Sequence, residues 1–504
     1  MFRIFGPPGT GKTTTLLNMV DEALENGTRP QEIAFLAFTR KAANEAKERA
    51  SSRFNLCPQN DLIHFRTIHS LALTRSDIQK DQVMQPENYQ ELSKITGVTL
   101  IGSNDLDTHD DLPTMKTGNT PVMNVINLAR LRKIPLRKQY NESNIEEDWN
   151  LVNHVFFTLK KYKETYGLFD FTDMLEQFAQ QGARCCPQFK LTFLDEAQDL
   201  SPLQWDIAHM LDTKSERMYC AGDDDQAIYR WAGADVNHFI NLPGGSEILS
   251  KSWRIPSSVH ALAEQIAAKI YNRFPKKYHP RTEMGAVERI DSINSLDMSA
   301  GTWLVLAQAG YQLQPVSNDL KANGYLFNYR GHRSISERLS VAVNGWEQLR
   351  KGKSITLDAA RKVYEFMSVG NRVARGYKKL RGLDEEELVD YEILKKNGLL
   401  ADISMIWHIA LDRVPDDERA YIIALLRRGE KFNAEPRITV STIHGSKGGE
   451  AENVVLYTNL SPAADAHYQT NPDDLHRTFY VAVTRTKENL FIIEPENMNR
   501  SYDL

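Results

Sequence analysis

The sequence predicts an α/β fold with parallel sheets, because strand-like apolar segments alternate with helical ones. The alternation is clearest in residues 1–70, 166–255, 300–350 and 437–493. In the first stretch, the short apolar strand Phe2–Phe5 leads through a glycine-rich turn directly into a helix with regularly spaced apolar residues. A strand, a glycine-rich turn and a helix in this order are typical of α/β proteins that hold phosphate at a helix N-terminus.

The turn after the first strand has the spacing G-x-x-x-x-G-K-T of a phosphate-binding P-loop. Its glycines let the backbone curl so that its N–H groups point inward. We expect the Lys12 ammonium to reach the β- and γ-phosphates and the Thr13 hydroxyl to coordinate Mg²⁺. A glycine-rich turn without a ligand is the alternative interpretation. The residues expected to bind the nucleotide here are Gly6, Pro7, Pro8, Gly9, Thr10, Gly11, Lys12, Thr13 and Thr14.

A second element of a nucleotide site follows the apolar segment 190–194, which reads as a buried strand. It ends in Asp195 and Glu196, a carboxylate pair of the Walker B type. Asp195 is placed to hold Mg²⁺, directly or through water, and Glu196 to orient or deprotonate the attacking water. The pair therefore indicates hydrolysis as well as binding, and a solvent-facing acidic turn is the alternative.

A third element follows the strand-like segment 217–221. Gln226 lies just past the end of this strand, where its amide can sense a γ-phosphate. Tyr229 and Trp231 come shortly after it, and aromatic side chains at such a position can stack on unpaired bases. Packing in the core is the open alternative for both aromatics.

The composition restricts the class of protein. The chain has 504 residues, of which 41% are hydrophobic and 25% charged, as in a globular protein of several domains. No apolar run is long enough to span a bilayer, and the four cysteines have neither metal-site nor disulfide spacing. We expect no secretory signal, since a functional-looking loop begins at Gly6, and a reducing, cytoplasmic location near the nucleoid, in a bacterial or phage setting.

A net charge of −5 indicates that any nucleic-acid surface must be a local patch. Residues 326–382 contain thirteen Lys or Arg and four acidic residues, a local net charge of +9. A smaller basic cluster lies at Arg130, Arg132, Lys133, Arg137 and Lys138. A phosphate backbone is a plausible partner for such patches, and a solvated face is the alternative for each.

The order of these motifs resembles the motor signature of superfamily 1 helicases of the UvrD/Rep group. DEAQD (195–199) and GDDDQAIYRW (222–231) carry the resemblance, and further matching segments extend it along the whole chain. These segments are AFTRKAA (37–43), TIHS (67–70), DFTDML (170–175), SWR (252–254), YRG (329–331), TIHGSKG (442–448) and YVAVTR (480–485).

The resemblance implies two RecA-like P-loop motor domains with parallel sheets, each carrying an inserted, mostly helical subdomain. The implied first motor domain comprises residues 1–73 and 166–255, with a helical insert at 74–165. The second comprises 256–349 and 437–504, with a reduced helical accessory insert at 350–436. ATP with Mg²⁺ is the implied cofactor, bound between the two motor domains.

Matching positions extend the site. Arg254 and Arg485 are expected to neutralise charge on the γ-phosphate as arginine fingers. Trp253 takes the place of a tyrosine that stacks on adenine, and Glu450 matches a glutamate that contacts the ribose. The implied catalytic set is Lys12, Asp195, Glu196, Gln226, Arg254 and Arg485, with Thr13 and Asp195 at the metal. The implied nucleic-acid contacts are Thr39, Arg40, His69, Tyr229, Trp231, Arg330, His444 and Lys447, although a packing role is nearly as well supported for His444.

Four departures from the family pattern limit what the resemblance implies. Only five residues precede Gly6, so the usual glutamine segment that reads adenine is missing and triphosphate binding is better supported than adenine selectivity. Ile68 replaces an aromatic residue, and Gly449 replaces a leucine. The insert at 350–436 is shorter than the family's second accessory subdomain, so duplex engagement and autoinhibition are not implied.

The implied activity is an ATP-dependent DNA helicase that moves 3′ to 5′ on single-stranded DNA and acts at junctions with duplex. Two alternatives stay open: a translocase that displaces proteins without unwinding, and an ATP-gated nucleic-acid clamp. RNA is less favoured than DNA but stays open as the strand, because stacking and phosphate contacts do not distinguish the sugars. A monomer that meets replication or repair proteins is the expected state, and no membrane partner is expected.

Overall fold

The structure is a computed structural model that describes residues 1–101, 120–384, 386, 388–432, 434–495 and 497–504, with Lys41 described for its backbone alone. The part of the predicted helical insert at 102–119 lies outside the described residues. Within the described ranges, no helix is both long and apolar enough to cross a membrane.

The strands, numbered along the chain, contribute to two large sheets and one small one. They are β1 Phe2–Phe5, β2 Ile33–Ala37, β3 Phe65–Thr67, β4 Phe189–Leu194, β5 Ser215–Gly222, β6 Ser246–Ile248, β7 Ala286–Ile290, β8 Trp303–Ala307, β9 Phe327–Tyr329, β10 His332–Arg333, β11 Ile355–Thr356, β12 Leu388–Val389, β13 Ile438–Thr442, β14 Ala451–Tyr457 and β15 Thr486–Ile493.

The α-helices of the described ranges alternate with these strands and also fill the inserts. They are α1 Lys12–Glu25, α2 Arg40–Phe54, α3 Ile68–Arg75, α4 Pro86–Thr96, α5 Pro121–Leu131, α6 Leu136–Glu142, α7 Trp149–Tyr166, α8 Phe171–Cys185, α9 Pro202–Thr213, α10 Val236–Asn241, α11 Ser257–Ala268, α12 Leu313–Ala322, α13 Glu337–Arg350, α14 Leu357–Glu365, α15 Tyr391–Lys396, α16 Trp407–Ala410, α17 Asp416–Arg428, α18 Pro462–Thr470 and α19 Pro472–Val483.

The chain divides into two compact units. The first unit is residues 1–284 with 466–484, and the second is 285–465 with 485–504. The boundaries of the four predicted segments stay a prediction.

The first unit contains a six-stranded sheet in the order β3-β2-β4-β5-β1-β6, and every pair in it is parallel. Apolar side chains such as Phe5, Phe35 and Phe193 are fully buried in it, because helices cover both faces of a parallel sheet. Parallel strands place all their carboxyl ends along one edge. The P-loop after β1, the acidic pair after β4 and the glutamine turn after β5 therefore meet at this edge.

The second unit contains a seven-stranded sheet in the order β10-β9-β13-β8-β14-β15-β7, which is parallel except for β10. Helices α13 and α14 and the short pair β11–β12 pack in the same core, around Trp346 and Tyr364. The two parallel sheets confirm the predicted α/β fold with two motor-type sheets.

The described part of residues 74–165 is helical, from α4 to α7, with an apolar core of its own. Three residues of the smaller basic cluster, Arg130, Arg132 and Lys133, form ion pairs within the protein. Arg130 contacts Asp170, Asp173 and Glu176 at 2.8, 2.5 and 2.7 Å. Lys163 lies 2.6 Å from both aspartates. These contacts favour a structural role for Arg130 over a nucleic-acid contact.

We predict that Arg130→Met lowers the free energy of unfolding by about 3–5 kcal/mol, because it leaves Lys163 alone against three carboxylates in a largely buried site. Denaturant unfolding at pH 7 measures the change. Arg132→Met is the matched control, since Arg132 pairs with Glu142 at a more exposed position and should contribute less than about 1 kcal/mol. Equal effects of the two substitutions would contradict the assignment.

Candidate active site

The P-loop turn depends on two glycines in the left-handed region, Gly9 (φ 72°) and Gly11 (φ 81°). Gly11 caps α1, so this helix begins at Lys12 and its first N–H groups point into the turn. A Cβ at Gly9 would lie 2.4 Å from Cβ of Arg254 and 2.7 Å from Oγ of Ser252. Gly9 is therefore required both by its backbone conformation and by the close approach of the 252–254 segment.

The P-loop and the acidic pair meet as the sheet order predicts. The Thr13 hydroxyl donates to Asp195 Oδ2 at 2.9 Å, and Lys12 Nζ lies 3.9 Å from Glu196 Oε1. Lys12 Nζ also donates to the carbonyl of Gly6 at 3.0 Å. A cation, a hydroxyl and two carboxylates thus converge at the N-terminus of α1, where helix geometry already favours an anion.

The Asp195 carboxyl is buried at the end of β4. Burial, and next the charge of Glu196, raise its pKa to about 6, while Lys12 and the Thr13 hydroxyl act in the opposite direction. Among the described residues, no group of three or more His, Cys, Asp or Glu side chains could hold a metal ion. A metal at Asp195 would therefore depend on the Thr13 hydroxyl, water and phosphate oxygens, which suits Mg²⁺.

Gln198 is a residue of this site that the sequence reasoning missed. Its side-chain amide donates to Glu196 Oε2 at 2.5 Å and to Asp199 Oδ2 at 3.1 Å. Its carbonyl oxygen accepts the backbone N–H of Asp223 at 3.0 Å. Gln198 is fully buried and thus joins the strand-end glutamate to the turn after β5. The signal available in the sequence was the position of this amide between Glu196 and Asp199 in the DEAQD motif.

Two backbone features support this contact. Glu196 has φ 56°, a left-handed conformation that is uncommon for a residue with a side chain and is concentrated at functional sites. A Cβ at Gly222 would lie 2.4 Å from Oε1 of Gln198. The glycine at the end of β5 therefore leaves the space that the Gln198 amide occupies.

The turn after β5 holds Gln226 through a buried carboxylate. Gln226 Nε2 donates to Asp223 Oδ2 at 2.7 Å. Lys276 Nζ lies 3.1, 2.7 and 2.7 Å from Asp223, Asp224 and Asp225. Although burial lowers the pKa of Lys276, the three aspartates raise it above its ordinary value. Lys276 was also missed, and three consecutive acids at a strand end were the signal that a buried cation must lie nearby.

The segment Ser252–Arg254 lies against the P-loop. Ser252 Oγ donates to the carbonyl of Pro8 and the Trp253 N–H to that of Gly9, both at 2.8 Å. The Trp253 ring is 68% exposed and has Lys251 Nζ 4.1 Å from its centroid. The first unit thus brings Trp253 and Arg254 beside the phosphate-binding turn and leaves most of Trp253 exposed.

The second unit contains the other predicted nucleotide residues, Arg485 and Glu450, and three of the predicted nucleic-acid residues. Arg485 is buried at the start of β15 and donates to the carbonyl of Gly449 at 3.2 Å. Glu450 forms an ion pair with Lys487 at 2.6 Å. His444 and Lys447 lie in and beside a short 3₁₀ turn after β13. Arg330, with φ 48°, follows β9.

The predicted nucleic-acid residues of the first unit differ in exposure. Trp231 is 48% exposed, whereas Tyr229 is only 8% exposed and its ring lies 5.6 Å from that of Phe38. Thr39 accepts the N–H of Ala42 as the N-cap of α2. The structure thus presents Trp231 as the open aromatic face, with Tyr229 packed beneath it at a ring distance of 6.1 Å.

His69 is half-buried in the first turn of α3. Burial, and next the charge of Arg40, lower its pKa to about 4, so the imidazole is neutral at pH 7. Its Nε2 atom has no hydrogen-bond partner among the described residues. This nitrogen is itself buried, so a contact of His69 with nucleic acid stays a prediction.

A phosphate-binding turn that meets strand-end carboxylates at one edge of a parallel sheet defines a P-loop ATPase. Matches to the models of two protein families identify a narrower group within this class. The UvrD/REP helicase N-terminal domain matches residues 2–244, and the UvrD-like helicase C-terminal domain matches residues 417–497. The chain therefore belongs to the UvrD/Rep family of ATP-dependent DNA helicases, which confirms the resemblance inferred from the motifs.

Individual relatives agree with this family. DNA helicase II of Rickettsia typhi is 22% identical over 98% of the chain and 90% of that protein. The ATP-dependent DNA helicase PcrA of Bacillus subtilis is 26% identical over 55% of the chain, a match that spans 39% of PcrA. Among solved structures, the PRRSV helicase matches 100% of the chain and 54% of its own chain at 11% identity, with a TM-score of 0.37.

We predict that Asp195→Asn stabilises the protein when no divalent metal is present. The folded carboxyl keeps its proton up to about pH 6, whereas an unperturbed one releases it near 3.8. Between these values the folded state binds more protons, so stability falls as pH rises. The asparagine variant avoids this loss, so its free energy of unfolding should exceed that of the wild type by about 1–3 kcal/mol. This difference should develop between about pH 4 and 6 and stay constant above about pH 6.

Denaturant unfolding in EDTA across this pH range measures the difference. Asp21→Asn, at a partly exposed ion pair with Arg53, is the control and should change stability by less than about 1 kcal/mol. A stability difference that shrinks as the pH rises from 4 to 6 would refute the shift at Asp195.

Proposed function

We propose that this chain is an ATP-driven motor that moves 3′ to 5′ along single-stranded DNA and couples hydrolysis to strand separation. The observation that supports it most is the approach of the P-loop to the acidic pair. Lys12 lies 3.9 Å from Glu196, and Thr13 donates to Asp195 at 2.9 Å. This arrangement contains the groups that phosphoryl transfer to water requires. The polarity rests on the family resemblance.

The proposed nucleotide site uses the geometry of the first unit. Lys12 and the N–H groups of the P-loop would bind the β- and γ-phosphates, and Trp253 would stack on the base with its open face. Thr13 and Asp195 would hold Mg²⁺, which supplies charge neutralisation at the phosphates. Asp195 must lose its proton to do so, and its raised pKa makes metal binding weaker below about pH 6.

Glu196 is the proposed acceptor of the proton from the attacking water. Its backbone is in the left-handed region, and its carboxylate is held from two sides, by Lys12 and by the amide of Gln198. A base that is fixed before the water arrives loses little entropy in the transition state. Gln198 is thus a positioning residue for Glu196.

The side-chain amide of Gln198 also suggests how a change at the bound nucleotide is transmitted to the DNA-binding surface. Gln198 binds the backbone of Asp223, whose carboxylate binds Gln226, and the chain then continues to Trp231 in five residues. A shift of Gln226 toward a γ-phosphate would therefore be transmitted along one short segment. We propose that Trp231 contacts bases and that Arg40 and His69 contact the same strand.

In the second unit, Arg485 is proposed to contact the γ-phosphate and Glu450 the ribose. Arg330, His444 and Lys447 are proposed to contact DNA. These roles rest on the positions of the residues in the family motifs.

A translocase that displaces proteins without unwinding is the second candidate. The shortness of the accessory insert at 350–436 favours it, because this insert would have to engage the duplex. An ATP-gated clamp is the weaker alternative, since a fixed base at Glu196 serves turnover.

We predict that the protein displaces a labelled strand from duplex DNA with a 3′ tail and leaves the 5′-tailed duplex intact. Strand displacement at low salt with ATP and Mg²⁺ measures this. Lys12→Ala, which removes the phosphate-binding cation, should abolish DNA-stimulated ATP hydrolysis. Preference for the 5′ tail would overturn the polarity. ATP hydrolysis stimulated by single strands without opening of either duplex would favour the translocase.

We predict that Gln198→Glu shifts the acid limb of the kcat–pH profile to higher pH. The new carboxylate lies against Glu196 and cannot donate to it, so like-charge repulsion raises the pKa of the proposed base. Steady-state ATP hydrolysis from pH 5.5 to 9 with saturating single-stranded DNA measures the limb. Gln204→Glu is the matched control, because Gln204 accepts the Ser201 N–H in the cap of α9. Coincident profiles for wild type and Gln198→Glu would remove the positioning role.

A further inference from the structure

A cavity of about 860 Å³ lies in the second unit. Its lining residues are distant in the sequence from the predicted nucleotide-binding residues. Its described lining contains five cations, one carboxylate and one aromatic ring, which gives a formal charge of +4 from five positive charges less one negative. The lining residues are Arg361, Lys378, Lys379, Arg381, Arg413, Glu365 and Phe366. Most of these cations belong to the basic run at 326–382, and Arg413 joins them from a distant segment.

The loop that carries three of these cations is fixed in place. Leu380 lies between Lys379 and Arg381, is buried in the core and has φ 45°. The Arg361 guanidinium donates to the carbonyl of Lys379 at 3.2 Å, and Lys378 Nζ donates to the carbonyl of Glu365 at 3.1 Å. The cavity is therefore preorganised, and a ligand would not have to order the loop.

The cations are held close enough to affect one another. The Arg413 N–H donates to the carbonyl of Phe366 at 3.0 Å, which holds Arg413 at the wall. Burial, and next the charge of Arg413, lower the pKa of Lys378, with Glu365 and Asp412 acting in the opposite direction. Like charges fixed together raise the free energy of the protein, and a bound anion relieves this repulsion.

We propose that this cavity binds a condensed phosphate chain, as found in nucleoside polyphosphates and inorganic polyphosphate. A triphosphate carries about four negative charges, because its terminal phosphate alone holds about two. This charge is opposite in sign to that of the described lining. The volume lies within the range of small-molecule sites, about 300–1,000 Å³. A nucleic-acid backbone, by contrast, is followed by cations spread along a surface, whereas these converge on one concavity.

Calorimetric titration of the full chain with inorganic tripolyphosphate at about 0.15 M salt tests the assignment. We expect two sites in the wild type. Lys12→Ala should remove the P-loop site, and Lys379→Ala with Arg381→Ala should weaken the other at least about tenfold. The Lys379 and Arg381 side chains are exposed, so their removal should not lower the melting temperature. Lys395→Ala with Lys396→Ala, on α15 in the same unit, is the charge-matched control and should bind as the wild type does.

A single site that Lys12→Ala abolishes would overturn the proposal, as would equal weakening by the control pair. Binding of a DNA duplex but not tripolyphosphate at Lys379 and Arg381 would assign the cavity to nucleic acid and also overturn it. Adenosine tetraphosphate and inorganic tetrapolyphosphate distinguish the sources. Tighter binding of the nucleotide identifies a nucleoside polyphosphate, and equal binding identifies the phosphate chain alone.

Discussion

Buried carboxylates in the first unit must be neutralised by cations from distant parts of the chain, and its architecture depends on this constraint. Lys12 lies beside the pair after β4, and Lys276 lies among the three aspartates after β5. Arg130 does the same for the acids at the start of α8. A buried pair adds little net stability, but losing one partner is costly. These ion pairs therefore favour one arrangement of the chain segments over others, and they add little to the net free energy of unfolding.

The same constraint joins the site to its surroundings. Asp223 accepts from Lys276 through one carboxylate oxygen and from Gln226 through the other. Its backbone N–H binds Gln198, which binds Glu196. A polar network in which each member is satisfied is rigid, because moving one member leaves another without a partner. The proposed base and the proposed phosphate sensor are thus held by one set of contacts.

The sequence was sufficient for the parts of the fold and site that depend on local pattern. The P-loop spacing, the strand before Asp195 and the alternation of strands with helices each follow from neighbouring residues. Gln198 and Lys276 were missed because their roles depend on contacts across the sheet edge. Lys276 is 52 residues from Asp224. The burial of Tyr229 beneath Trp231 likewise depends on Phe38, which follows a different strand.

The two basic clusters of the sequence show why charge counting alone does not identify a binding surface. Arg130, Arg132 and Lys133 each lie beside an acid that is far from them in the sequence or on a neighbouring helix, so the fold itself neutralises them. Around Arg381 and Arg413 the chain instead brings cations to one cavity with a single carboxylate in its described lining. Basic runs in the sequence thus differ in what they can bind, because the spatial neighbours of a charge decide whether it attracts a ligand.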